Sequence, residues 1–138
     1  MDAASALADL TEISSQVDAA VVFGEDGAVV ASTFGDESRT ERLARIGRRL
    51  LETAEQVPTG RERKLTRLEV VLPACTVFVA RGEGSNGSSI VATTSPKPAS
   101  RLVFHDLETC LRAVAEAGEE SASPKPRRTT RKKKPVDA

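Results

Sequence analysis

Apolar residues recur at two spacings along this chain, and the switches between them divide it into elements. Over residues 3–16, Leu7, Leu10 and Ile13, then Val17, are separated by three, three and four positions. That is one face of a helix, with Ser14 and Ser15 on its polar side. Residues 19–24 (AAVVFG) and 28–33 (AVVAST) are β-rich runs on either side of Glu25-Asp26-Gly27. An Asp-Gly pair supplies the positive φ that a tight hairpin needs, so these runs predict two antiparallel strands. Ser38 with Glu41 three residues on reads as a capping box opening a second helix, which runs to about Val57 before Pro58. Its apolar positions, Leu43, Ile46, Leu50, Leu51, Ala54 and Val57, fall on one broad stripe at ~100° per residue.

After a loop at 59–64, a period of two returns. Leu68, Val70 and Leu72 alternate with Arg67, Glu69 and Val71, giving one apolar and one mixed face. Pro73-Ala74 makes a short turn into residues 75–81 (CTVFVAR), a more buried strand. Residues 82–88 form a glycine-rich loop, 89–94 a fifth strand, and Ser95-Pro96-Lys97-Pro98 an extended turn. Ser100 caps a last helix carrying Val103, Leu107, Cys110, Leu111 and Val114, closed by Gly118. The order α-β-β-α-β-β-β-α predicts an α+β fold, a five-stranded antiparallel sheet with helices against it.

Composition changes the picture in two places. With 138 residues there is room for one core. The balance of 39% apolar to 29% charged residues suits a soluble domain, with no stretch near the ~20 apolar residues of a membrane span. The start, MDAAS, is acidic where a signal peptide would be basic. Two cysteines, Cys75 and Cys110, make no disulfide framework and no metal-ligand spacing, so the expected setting is cytoplasmic and reducing. There is no Trp, no Tyr and a single histidine, His105. His105 has only Asp106 beside it, and adjacent helical residues do not face each other. The 82–88 loop lacks the Gly-Lys-Ser/Thr ending of a phosphate-binding loop. No constellation supports catalysis, a metal or a cofactor, and the expectation is a protein that is not an enzyme.

Charge is the second place. The formal net charge is zero, yet residues 1–118 carry −4 and residues 119–138 carry +4. Residues 123–134, SPKPRRTTRKKK, hold seven basic side chains and no acid: Lys125, Arg127, Arg128, Arg131, Lys132, Lys133 and Lys134. Such a segment cannot bury enough apolar surface to offset ordering entropy. The expected organisation is a folded unit over 1–118 and a disordered basic tail over 119–138. The tail suits three roles: a solubilising end, a non-specific binder of nucleic acid or anionic membrane, or a partner for an acidic protein surface, including that of its own domain.

The element order, the run VDAAVVFGEDGAVVAS (residues 17–32) and the amphipathic second helix resemble the roadblock/dynein light-chain family across the whole folded part. The profilin-like and longin-like sensors share a similar layering. The resemblance implies a five-stranded sheet that homodimerises through the second helix and third strand. It also implies a non-catalytic adaptor or regulator whose partner is a small Ras-like GTPase, or a related roadblock subunit in place of the second copy. Gly47 stands on the apolar stripe, where glycine costs about 1 kcal/mol relative to alanine. A close backbone approach would explain it. The candidate dimer surface is therefore Ala44, Gly47, Leu51 and Ala54, with the Leu43/Ile46/Leu50 ridge covering the chain's own sheet. The other reading packs Gly47 on that sheet. Leu68 and Val70 join the candidate surface, because an open edge strand can pair with its symmetry mate, unless Arg67 and Glu69 guard that edge. Arg39, Arg42, Arg45, Arg48 and Arg49 crowd the same helix, as a surface for a GTPase or as a solvated face with Glu41–Arg45 and Arg48–Glu52 pairs.

Overall fold

The computed structural model describes residues 2–57, 67–82 and 87–122, so the expected 59–64 loop and the basic tail over 123–138 lie outside the described residues. Eight elements follow in the expected order: α1 (Ala3–Ile13), β1 (Val17–Phe23), β2 (Val29–Ser32), α2 (Glu37–Ala54), β3 (Arg67–Val71), β4 (Thr76–Arg81), β5 (Ser89–Thr94) and α3 (Ser100–Ala122). The strands form one antiparallel sheet ordered β2-β1-β5-β4-β3. Both local hairpins therefore meet at β5, the last strand made, which inserts between β1 and β4.

Local chemistry sets the element ends, in places differently from the expectation. Asp2 caps α1 by accepting the Ser5 amide at 2.8 Å. The helix stops at Ile13 and Val17 opens β1 instead of extending the helical stripe. The cap of α2 is Asp36, accepting the Ser38 amide at 2.9 Å, and not Ser38. The cap falls two residues before the expected box, and Ser32 of β2 and Thr40 of α2 bond to each other across the link at 2.7 Å. Gly27 has φ +85°, the left-handed backbone that the Asp-Gly pair predicts. The last helix passes through Gly118 and reaches Ala122, four residues past the expected boundary.

Two helices cover one face of the sheet and one helix covers the other. Under α1 and α3 lie Val22, Phe78, Ile90 and Ala92 of the sheet, met by Val103 and Leu107 of α3, all closed to solvent. The rings of Phe78 and Phe104 meet edge to face, centroids 5.0 Å apart. Under α2 lie Val21, Phe23, Val77, Val79 and Val91. Five strands ~4.8 Å apart make a sheet about 19 Å wide between its outer strands, while a single helix is only ~10 Å across. One helix cannot roof that face.

Candidate protein-binding surface

The helix α2 turns Thr40, Leu43, Ala44, Gly47 and Leu51 into the molecule. For the small-residue flank this differs from the expected orientation. Ala44, Gly47 and Leu51 are buried against the chain's own sheet and do not face a partner. The reason is steric: a Cβ on Gly47 would lie 2.7 Å from the Val91 Cβ of β5 and 3.1 Å from the Phe23 ring. Glycine at 47 lets the helix sit low on the central strands, so the close approach inferred from sequence is real, but it is made within the chain. The ridge is divided. Leu43 is buried, Leu50 is half-buried, and Ile46 is 42% exposed. Ala54 is half-buried at the helix end.

Arg48 shows which way the flanks point. Its guanidinium lies over Gly27, at the β1–β2 turn, where a Cβ would collide with it. At ~100° per residue, Ile46 and Leu50 stand on the opposite flank of α2 from Arg48. They lean away from β2, toward the β4–β3 side of the sheet.

On that side of the sheet lies strand β3, its outer strand. Its alternation resolves onto two faces. Leu68 and Val70 are half-buried on the α2 side, alongside Leu50 and Cys75. Arg67 and Glu69 point to the other face, where α3 holds them. Arg67 makes a bidentate pair with Glu108 at 2.7 and 2.9 Å and lies 5.4 Å over the Phe104 ring, and Ser100 donates to Glu69 at 2.7 Å. Glu108 accordingly raises the Arg67 pKa. Arg67 and Glu69 are therefore engaged with the helix and do not guard the strand edge. Just beyond, Val71 and Leu72 are exposed. The result is a half-open apolar surface of Leu50, Leu68 and Val70, with Ile46 exposed on the same flank of α2, bordered by a strand that has no second strand neighbour among the described residues.

The other candidates take ordinary places. Arg39, Arg42, Arg45 and Arg49 are exposed along α2. The expected Glu41–Arg45 and Arg48–Glu52 pairs do not form; among the described residues the ion pairs are Arg39–Asp36, Arg67–Glu108 and Arg81–Glu55. A polar cleft of about 330 Å³ lies between α2 and the sheet end, where Arg81 and Glu55 close on each other. His105 is exposed on α3. Cys110 is buried, and burial pushes its thiol up to about 11. No group of three metal-ligating side chains occurs among the described residues, and none of their helices is long and apolar enough to cross a membrane.

Solved structures share this arrangement. A Roadblock/LC7 domain from Streptomyces avermitilis superposes with a TM-score of 0.74 at 14% identity, covering 86% of this chain and 99% of that one. The chain folds as a roadblock domain. Myxococcus xanthus MglB follows at 0.69 and 9% identity, over 90% and 92% of the two chains. The gliding protein MglB of Thermus thermophilus matches at 0.68 and 14%, over 86% and 89%. No family model and no curated protein matches the sequence itself. At these identities the likeness carries the roadblock fold alone, and the partner has to be argued from the surface.

Proposed function

We propose that this chain is a non-catalytic adaptor or regulator that acts as a dimer and binds a small Ras-like GTPase. The observation that carries this reading is the half-open apolar surface of Leu50, Leu68 and Val70, with the exposed Ile46 on the same flank of α2, beside β3, the outer strand of the sheet among the described residues, in a roadblock fold. Copies related by a two-fold axis would pair β3 with β3 and lay α2 against α2. That arrangement removes an edge that would otherwise template aggregation. It also sets the exposed arginines 39, 42, 45 and 49 of two chains side by side on one broad face, a basic platform suited to an acidic partner surface. The GTPase is the partner that resemblance to roadblock proteins implies. In this reading the chain contributes no catalytic residue and works by holding one conformation of its partner.

The test is a nuclease-treated pull-down from native lysate with the full chain as bait, run with a GTP analogue and with GDP. Retention of a small GTPase in one nucleotide state, abolished in Ile46→Glu/Leu68→Glu, is the expected result. A chain that stays monomeric at high micromolar concentration and retains no GTPase in either state overturns the proposal.

A further inference from the structure

The opposite face of the molecule carries a groove of different character. Helices α1 and α3 leave between them a cleft of about 190 Å³, floored by Leu10, Cys110 and Ala113 and edged by Ile13, which is 70% exposed. Asp9 stands on the α1 side and Asp106 on the α3 side, and no basic residue lines the cleft. Among the described residues neither aspartate has an ion-pair partner. The acidity extends beyond the cleft. Helix α1 has Asp9 and Glu12 and no basic residue, and on α3 the line through Asp106, Thr109 and Ala113 continues at helical spacing to Glu116, which is exposed. Helix α2, on the other face, is crowded with arginines instead.

The chain itself supplies the complementary charge. Helix α3 ends at Ala122, and the next twelve residues hold seven basic side chains and no acid. From Ala122 back to Cys110 is twelve helical residues, about 18 Å at ~1.5 Å each. Residues 123–134 extended reach up to roughly 40 Å, so the segment can turn back along α3 and lie in the groove. Lysine and arginine can rest their aliphatic stems on an apolar floor while their charged heads reach carboxylates at its rim. A tether this short makes the encounter intramolecular, at an effective concentration on the order of millimolar.

We propose that the α1/α3 groove is the docking site of the chain's own basic segment, residues 123–134, with Asp9 and Asp106 as its anchoring carboxylates. The stems lie over Leu10, Ile13 and Ala113. The contact is electrostatic and reversible. A polyanion competes for the same basic residues, so the groove sets how much of the segment is free to bind one. The dimer surface is on the opposite face of the sheet, and docking does not depend on it.

Zero-length carbodiimide cross-linking of the full chain tests this directly, because it joins lysines to carboxylates in contact. An equal mixture of 15N-labelled and unlabelled chain separates links within a chain from links between chains. The expected links join Lys132, Lys133 or Lys134 to Asp9 and Asp106 within one chain, and fall several-fold in ~1 M salt, where charges are screened beyond about 3 Å. Links to Glu116 do not count, since it lies close in sequence. Links to the glutamates of α2, links only between chains, or no links to Asp9 or Asp106 overturn the proposal. As a second measurement, trypsin should cleave the tail several-fold faster in Asp9→Asn/Asp106→Asn than in the wild type at low salt. A Glu37→Gln/Glu41→Gln control, with the same change of charge on the other face, should match the wild type. Equal rates in all three proteins overturn the assignment.

Discussion

The two faces of one sheet are built to different specifications. Among the described residues the α1/α3 face buries seventeen apolar side chains in one cluster, and the α2 face buries eight, with Phe34, Leu50, Leu68, Val70 and Cys75 only partly covered beside them. The same strands serve both, since β1, β4 and β5 send alternate residues to each side. The difference lies in the roofing: two helices on one side, one on the other. A five-stranded sheet with three helices must leave part of one face short of cover, and here the shortfall falls over β3. Strand β3 is fastened to α3 through Arg67 and Glu69 on the closed face and carries half-open leucine and valine on the other. Most of the buried apolar surface is on the closed face, and the partly covered apolar side chains beside β3 are left on the open one.

Disrupting the closed face should have the largest effect. Phe78 is fully buried and packs its ring on Phe104. Phe78→Ala should cost roughly 3–5 kcal/mol, read as a fall in the urea midpoint with little change in slope. The central part of the open face should respond less strongly. Gly47→Leu drives a side chain into Val91 and Phe23 and should destabilise by about 1–3 kcal/mol through overpacking. Because the clash is within one chain, that loss should not depend on protein concentration. A variant of unchanged stability that merely dissociates would return Gly47 to the dimer contact.

The rim of the open face should behave in the opposite way. Ile46→Glu should change the stability of each chain by no more than ~0.5 kcal/mol, since the side chain is already 42% exposed. It should nevertheless shift the molecular mass measured by light scattering from dimer to monomer. If unfolding and dissociation respond in parallel to Gly47→Leu and Ile46→Glu, the division between the faces does not hold.

An effect confined to alkaline pH concerns Cys110 on the closed face. Burial raises its thiol from 9.0 to about 11, with Asp9 adding to the shift. Above pH 9 the unfolded chain loses this proton while the folded one keeps it. The stabilisation is therefore complete below about pH 9 and declines as pH rises toward 11. Thermal melts across that window should show the fall, and Cys110→Ser should flatten it. Alkylation of Cys110 at neutral pH should be slow in the folded protein.

Much of this architecture is legible in the sequence, and the reason differs by element. Apolar spacing located all eight elements because burial on one face imposes a period of 2 or 3.6 wherever the chain is regular. The Asp26-Gly27 turn was readable because few residues accept its backbone. Boundaries were less legible. Asp36 and Ser38 are both good caps by residue type, and Asp36 is the one that accepts the helix amide. Gly118 is a common helix stop, yet α3 passes through it.

What the sequence determined by itself is the order of elements, the alternation of β3, the concentration of basic charge after residue 122 and the presence of a close approach at Gly47. Each of these is a local property, fixed by neighbours along the chain. Only the tertiary structure decided which body Gly47 approaches, which flank of α2 stays in solvent, and that Asp9 and Asp106, ninety-seven positions apart, share one groove. A helical stripe specifies that a face is buried but not what buries it. The rotation of α2 about its axis is set by Val91 and Phe23 on strands distant in sequence, and the α1/α3 groove exists because the antiparallel sheet brings α1 and α3 onto one face.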